Sequence, residues 1–512
     1  MIINVLQYLE SSAKKFSNKI AFADQKNQIT FSCLNQHSKL VGSEIFRETN
    51  GQIRKPIVVF VDRNIESLVS FFAVAYSGNF YVPIDVKMPK KRIELILETL
   101  QPLAVVLTRE SSVFTSEIFS ELITIDYENQ ISNGTIENQA LKNIRTKIID
   151  KDPLYATFTS GSTGIPKGVL TSHQSVIDMT EALCETFDFS EKNIFGNQNP
   201  FYFDASIKDI YSSLKCGSTM HILPKSYFMM HGELVNHIIK NKIDIILWSA
   251  AAIALLANSK AFEDKKPITL KNVMFSGEVM HNKVLNYWRN NLPNTKFVNL
   301  YGPTEITSVC TFYKIEKSFK DEEVLPIGIP FRNCEVLILN DDNKMVQGDE
   351  SGELCVKGSC LALGYYNNTE KTSEVFCQNP LNTHFPEIIY RTGDIAKFNE
   401  FGEVMFMSRK DNQVKHMGQR VEIGEIEIIL NSMNKIDASI CFYDHKLKKI
   451  VCVYKGEEAD NKYIYKELKD KVSKFMYPNI LIKQFELRYN LNGKIDRTYI
   501  KEKYFKAEFN DI

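Results

Sequence analysis

The residues best suited to chemistry gather first in one short stretch, LYATFTSGSTGIPKGV (154–169). An apolar run enters a loop that holds Thr159, Ser160, Gly161, Ser162, Thr163, Gly164 and Lys167. Glycines let successive backbone N–H groups turn inward and form an anion-binding concavity. The hydroxyls add donors, and one lysine supplies charge for a polyphosphate. This is not a Walker A loop, because position 166 is proline and Lys167 is followed by Gly168. The competing reading is a Ser/Gly-rich linker. Such linkers rarely follow a strand directly and then end in Pro-Lys-Gly before another apolar run.

Four further stretches carry charged or hydrogen-bonding groups in polar surroundings. They are FDASIKDIY (203–211), NLYGPTEIT (299–307), YRTGD (390–394) and NGKIDR (492–497). Each has an ordinary reading beside a chemical one. Asp204 and Glu305 suit helix starts as capping carboxylates, Tyr301 suits a core, and Lys494 suits a surface turn. Asp204 and Lys208 are four residues apart, so on a helix they pair with each other or Lys208 meets a polar substrate group. The residues themselves leave both arrangements open.

These groups need a scaffold. The segments 57–61 (IVVFV), 104–108 (AVVLT), 243–248 (IDIILW) and 272–278 (NVMFSGE) are short apolar runs between stretches of helical period. That alternation predicts buried parallel strands with helices on their faces, an α/β architecture over about the first 400 residues. From about residue 324 turn signals come at short intervals, which predicts a β-rich subdomain over 324–410. A polar, glycine-containing stretch at 409–419 marks a hinge. Beyond it a small α+β domain is expected over 411–512, with a helix at 422–430, a strand pair and a helix at 463–474. The large N-terminal region is then 1–410.

Length and charge narrow the function. A chain of 512 residues exceeds one hydrophobic core, and 44% hydrophobic with 24% charged residues is ordinary for a globular protein. Lys plus Arg equals Asp plus Glu at 62 each, so no basic surplus points to nucleic acid or an anionic membrane. The short cluster Lys446, Lys448 and Lys449 reads as a solvated turn. No apolar stretch reaches the roughly 20 residues needed to span a bilayer, and the amino terminus lacks a signal-peptide pattern. Ten cysteines are scattered without CxxC spacing, so neither a disulfide scaffold nor a zinc site is expected. The cytoplasm is the expected compartment.

The loop TSGSTGIPKG resembles the signature of the adenylate-forming enzymes, which include adenylation domains of nonribosomal peptide synthetases, acyl-CoA synthetases and luciferases. The resemblance extends in order through AYSGNFYVPID (75–85), FDASIKDIY, NLYGPTEIT, GELCVKG (352–358), YRTGD, SRKDNQVKHMGQRVEIGEIE (408–427) and NGKIDR, and so covers nearly the whole chain. Within the superfamily the chain is similar to the amino-acid-activating branch, above all to stand-alone D-alanine–carrier-protein ligases. The fold it implies is two sheet-helix subdomains plus a β-rich subdomain, followed by a small mobile C-terminal domain.

The activity implied is an ATP- and Mg²⁺-dependent ligase. A small polar or acidic amino acid becomes an aminoacyl-adenylate with release of pyrophosphate, then passes to the phosphopantetheine thiol of a separate carrier protein. By resemblance Lys494 is the catalytic lysine that holds the substrate carboxylate and the bridging oxygen. Glu305 is the Mg²⁺ ligand, Asp394 the ribose ligand, Tyr301 the residue against adenine, and Asn299 the partner of its exocyclic amine. Gly277, Gly302, Thr304 and Arg409 complete the nucleotide set with the phosphate loop. Asp204 pairs with the substrate ammonium, in a pocket of Ala205, Lys208, Leu247, Met274, Ser276, Leu300 and Ser308. Asp411 matches the hinge, and Lys415 and Gly418 match the face that meets the thiol donor.

The chain departs from the pattern at Ser276, where D-alanine ligases commonly have cysteine, at Ser408, where glycine usually precedes the arginine, and at KFMYPNI (474–480). The chain ends fifteen residues after Arg497. No carrier attachment motif follows, so the acceptor is expected to be a separate molecule. D-alanine–carrier-protein ligase proper, an acyl- or aryl-CoA ligase, a nucleoside-triphosphatase switch and an inactive adenylate-binding, carrier-docking protein are the alternatives.

Overall fold

In the computed structural model, residues 2–108, 122–159, 166–321, 323–410, 413–456, 458–488 and 495–506 are described. They divide into two compact units. The first comprises Met1–Val86, Leu100–Thr157 and Gly168–Lys410, and the second Asp411–Ile512 with Lys87–Thr99 and Phe158–Lys167.

Two large sheets dominate the first unit. One runs, edge to edge, through Ile329–Pro330, Thr311–Lys314, Lys296–Tyr301, Asn272–Ser276, Ile245–Ser249, Ile194–Asn197, Thr219–Ile222, Ile20–Ala23 and Gln28–Thr30. Its interior pairings are parallel, and its outer ones, at Thr311–Lys314 and Gln28–Thr30, are antiparallel. The other runs through Gly364–Tyr365, Lys167–Ser172, Pro153–Thr159, Phe80–Asp85, Pro56–Val61, Ala104–Leu107 and Ile123–Asp126. Strand Pro56–Val61 is buried along its whole length, which is why it reads as an unbroken apolar run rather than an alternating one.

Between them lies the main core. Helix Ile65–Tyr76 is buried nearly all round and carries Phe71 and Phe72 into a cluster with Tyr81, Tyr155, Phe195 and Tyr211. The ring of Phe71 stacks on Tyr81 at 4.2 Å between centroids. Asn64 starts that helix by accepting a hydrogen bond from the Ser67 amide, so one of its otherwise unpartnered amides is satisfied. A second cluster, with Trp248, Phe262 and Trp288, covers the other face of the larger sheet.

The β-rich part of the first unit is an antiparallel sheet of Cys334–Leu339, Gly352–Gly358, Ile388–Phe398, Phe376–Gln378 and Val404–Arg409. The second unit holds the hairpin Gln413–His416 and Gln419–Glu422, helix Ile423–Asn431, and a sheet of Ala438–Asp444, Lys449–Lys455 and Ile480–Lys483. One sequence expectation needs correction. The helix predicted to run to residue 474 spans only Asn461–Leu468, and Lys474–Met476 is a separate 3-10 turn. Asp460 caps the helix start, accepting from the Tyr463 amide at 2.7 Å. Leu468 and Val472 continue the helical period in sequence and are both buried, but the backbone turns after Leu468. The lysine cluster at 446–449 is a hairpin turn tied down by Asp444 Oδ1, which accepts from the Lys446 and Leu447 amides.

Candidate active site

In an open parallel sheet ligands bind in the crevice beyond the carboxyl ends of the strands. Two neighbouring strands of the larger sheet, Asn272–Ser276 and Lys296–Tyr301, end in polar residues there. Ser276 and Tyr301 stand at those ends, and each holds a different charged cluster.

At the end of Lys296–Tyr301, the Tyr301 hydroxyl donates to Asp394 Oδ2. Arg409 Nη1 donates to Asp394 Oδ1, and its Nη2 reaches the Thr392 carbonyl at 3.3 Å. Asp394 and Arg409 are direct cross-strand partners in the β-rich sheet, so backbone register sets this ion pair. The Asp394 amide donates to Thr392 Oγ1 at 3.0 Å, which fixes the carboxylate from behind. Burial, and after it the Asp394 charge, pushes the Tyr301 hydroxyl well above its ordinary range, so it stays a donor. Its ring belongs to the core beneath the β-rich sheet, with Ile306 and Cys310. Asn299 uses its amide nitrogen on the Pro326 carbonyl at 2.8 Å, leaving Oδ1 outside that contact.

The loop after Tyr301 folds back tightly. A side chain on Gly302 would place its Cβ 2.6 Å from the Ser308 carbonyl oxygen and the Val309 Cα, so only glycine fits. Thr307 and Ser308 both sit at positive φ, 58° and 75°, an unusual pair for residues with side chains. Thr307 Oγ1 anchors the strained turn by donating to the Cys360 carbonyl at 2.8 Å. Glu305 on this loop is fully buried, and Tyr365 donates its hydroxyl to Oε1 at 2.7 Å. Strand Gly364–Tyr365 pairs with the strand that leaves the Ser/Gly loop, which aligns Glu305 with that exit. Thr304 is the first residue of the short turn Thr304–Ile306.

At the end of Asn272–Ser276 the second cluster begins. Lys208, 1% exposed, donates from Nζ to Ser276 Oγ at 2.9 Å. Asp204 lies in the 3-10 turn Asp204–Ser206, and Ser206, not Asp204, precedes helix Ile207–Cys216. The capping role open to Asp204 from sequence is therefore not the one it takes at that helix. Its carboxylate acts on the Tyr155 hydroxyl, which burial first and the Asp204 charge second push well up. Ala205 follows in the same turn. Leu247 and Met274 are register partners, Leu300 lies on the next strand, and all three, nearly or fully buried, belong to the main core, so the residues expected from sequence to line the pocket are core residues. Gly277 sits at φ 99°, and a Cβ added there would have no neighbour within 4 Å, which leaves its backbone open to an approaching ligand.

Thr159 ends strand Pro153–Thr159 and Lys167 begins strand Lys167–Ser172. Ser160, Gly161, Ser162, Thr163, Gly164, Asp411 and Lys494 lie outside the described residues. In the second unit Lys415 stands in strand Gln413–His416. Met417 and Gly418, at φ 54° and 79°, make the two-residue turn to the next strand, and Met417 is exposed. Sequence reasoning did not single out Tyr365, Thr392, Arg63, Asn197 or Asp209. For the last two the signal was the polar run FGNQNP (195–200) and the adjacent charges of FDASIKD (203–209).

A Mg²⁺ ion is typically held by one or two carboxylates together with phosphate oxygens and water. Among the described residues there is no group of three or more His, Cys, Asp or Glu placed to hold a metal. A single oriented carboxylate, Glu305, fits an ion that arrives on a polyphosphate. No helix of the described residues is long and apolar enough to cross a membrane.

The family model described as AMP-binding enzyme matches residues 9–366. Tyrocidine synthase 1 of Brevibacillus parabrevis is 27% identical over 506 residues, covering 98% of this chain and 45% of that protein. Bacitracin synthase 1 of Bacillus licheniformis is 30% identical over 506 residues, covering 97% of this chain and 9% of that protein. The chain thus spans less than half the length of these relatives. Among solved structures, the Vibrio cholerae adenylation domain AlmE in complex with glycyl-adenosine-5′-phosphate superposes with a TM-score of 0.84 at 19% identity, covering 99% of this chain and 98% of that one. These structural likenesses establish the fold.

Proposed function

Starting from a chain that belongs to the AMP-binding, adenylate-forming family, we propose that it activates an amino acid with ATP as aminoacyl-AMP and transfers it to the thiol of a separate phosphopantetheinylated carrier protein. The observation that carries this reading is the pair of strand ends. Adjacent parallel strands end in Ser276, which holds a buried lysine, and Tyr301, which holds a carboxylate–guanidinium pair. A cleft so built suits a nucleotide on one side and a small zwitterion on the other.

In this reading Asp394 accepts the ribose hydroxyls, with Tyr301 and Arg409 aiming the carboxylate. Tyr301, Asn299, Gly302 and Gly277 line the adenine and its sugar. The Ser/Gly loop, with Thr159 and Lys167 at its ends and Thr304 opposite in role, binds the phosphates. Glu305, oriented by Tyr365, would hold Mg²⁺, which neutralises phosphate charge. Asp204 pairs with the substrate ammonium. A half-buried carboxylate there suits an amino acid, whose ammonium it would pair with, better than a fatty or aryl acid. Lys208 and Ser276 favour a polar or acidic side chain over the methyl group of alanine.

Lys494 then bridges the attacking carboxylate and the α-phosphate oxygen, stabilising charge as pyrophosphate leaves. We take 1–410 as the catalytic core and 411–512 as a lid that turns about Asp411, bringing Lys415 and Gly418 to the thiol donor for the second step.

The test is amino-acid-dependent pyrophosphate exchange with all proteinogenic L-amino acids and their D-isomers, on wild type and Asp204→Ala. Exchange with one or a few amino acids, lost in the variant, supports the reading and identifies the substrate. An absence of exchange with every amino acid would reject amino-acid activation.

A further inference from the structure

Under the amino-acid end of the cleft, three consecutive side chains fasten two different elements, helix Ile207–Cys216 and strand Ile245–Ser249. Asn197 Nδ2 donates to Asp209 Oδ2 at 2.8 Å. Gln198 Oε1 accepts from the Ser249 amide at 3.1 Å, and Asn199 Nδ2 donates to the Leu247 carbonyl at 2.8 Å. Arg63, just beyond strand Pro56–Val61 of the other large sheet, closes the set. Its Nη1 donates to the Gln198 carbonyl. Its Nη2 donates to the Asn197 carbonyl at 2.9 Å and to Asn197 Oδ1 at 3.2 Å. One asparagine side chain therefore accepts from a guanidinium and donates to a carboxylate.

That carboxylate has no exposed surface. Desolvation pushes Asp209 up to about 7, against the opposing pull of the Asn197 hydrogen bond, Lys208 and Arg63. Burial in turn draws Arg63 down to about 10. Oδ1 of Asp209 is buried with no hydrogen-bond partner among the described residues. An apolar residue of similar volume would remove a buried charge but leave the Asn197 amide without this acceptor. Satisfying that amide needs an acceptor and not a charge, so the hydrogen bond alone is a poor reason for an aspartate at this position.

Its sequence neighbour supplies a better one. Consecutive residues on a helix point about 100° apart. With Asp209 turned to Asn197, Lys208 is turned to Ser276. Seating one side chain sets the rotation of the helix start and so the aim of the other, and the negative charge lowers the cost of burying the ammonium. We propose that Asp209, seated on Asn197 and Arg63, is a positioning residue whose effect on the reaction passes through Lys208. It acts on recognition of the amino-acid side chain and not on the nucleotide. The inference rests on the reading of the cleft given above.

A double-mutant cycle in pyrophosphate exchange tests it, using the amino acid that wild type prefers. Asp209→Asn, nearly isosteric, is expected to raise the amino-acid KM about tenfold while the ATP KM changes less than about twofold. On a Lys208→Met background the same substitution is expected to change the amino-acid KM less than about twofold. Arg63→Lys, which keeps charge but loses the planar fork, should give a smaller rise of the same kind. Circular dichroism melts establish that each variant is folded at the assay temperature. An equal rise on both backgrounds, or an equal rise in the KM for ATP, would show that Asp209 supports the fold in general and overturn the proposal alone. A folded wild-type protein with no amino-acid-dependent exchange would overturn the reading of the cleft and this inference with it.

Discussion

The two ends of the cleft handle buried charge in opposite ways. At Tyr301 the opposite charges touch: Asp394 and Arg409 are strand partners in direct contact, and a tyrosine hydroxyl completes the carboxylate. At Ser276 the charged groups meet neutral intermediaries. Lys208 donates to a hydroxyl, and Asp209 reaches Arg63 through an asparagine. A direct pair set by sheet register is fixed by the fold and suits a ligand that never changes. A set spaced by Ser276 and Asn197 rests on single side chains, so one substitution changes it.

The contrast can be broken most sharply at Asp394. Asp394→Ala removes the carboxylate partner of the half-buried Arg409 guanidinium, at an expected cost of about 1.5–3 kcal/mol in unfolding free energy. Pyrophosphate exchange should fall by about a thousandfold, with every amino acid affected alike. A substrate-dependent loss would contradict the division of labour between the ends. Lys208→Met should behave differently. Replacing a buried cation by an apolar chain of similar length leaves the melting temperature unchanged or raised. The preference for an acidic or polar substrate over a neutral one should shrink by about a hundredfold, and an unchanged substrate profile would remove Lys208 from recognition.

A pH series sharpens the comparison further. Asp209, faced by Arg63, Lys208 and the Asn197 amide, has its folded-state pKa raised from 3.8 to about 7. Such a group binds its proton more tightly in the native state. Its contribution is fully present below about pH 4 and is lost as the pH rises through 7. Asp209→Asn removes that loss. The melting temperature of the variant relative to wild type should therefore rise between pH 5 and pH 8, by an amount equivalent to about 1–3 kcal/mol. A flat difference across that range would mean that Asp209 does not titrate there. Ser276→Ala should be the mildest change, with a rise of about fivefold in the amino-acid KM, the worth of one hydrogen bond to a charged donor, and no change in the KM for ATP.

Much of this was legible in the sequence for identifiable reasons. Buried parallel strands such as Pro56–Val61 and Ile245–Ser249 announce themselves as apolar runs, and turns by their glycines and asparagines. Asp204, Lys208, Glu305, Tyr301 and Asp394 are reached through motifs that resemble those of the adenylate-forming enzymes. What the sequence hid was partnership. Asp394 and Arg409 are fifteen residues apart and meet only through strand register. Glu305 and Tyr365 come from different sheets, and Arg63 reaches Asn197 across 134 positions. Nor does any local pattern say that Thr307 and Ser308 adopt left-handed backbone, since neither is a residue that favours it. The end of helix Asn461–Leu468 was missed because Leu468, Val472 and Met476 keep helical spacing and stay buried past the point where the backbone leaves the helix.

The identity of pocket wall and core has a consequence for how such a protein can acquire a new substrate. Leu247, Met274 and Leu300 belong to the cluster that joins the two large sheets, so reshaping the wall opens cavities costing about 2–5 kcal/mol per truncated side chain. That is a large part of the stability margin of an ordinary domain. Lys208 and Ser276, in the reading proposed above, meet the substrate side chain and are joined by a side-chain hydrogen bond. Neutral drift and directed evolution should therefore enter at these two positions first, and reach the apolar wall only in backgrounds already made more stable than they need to be.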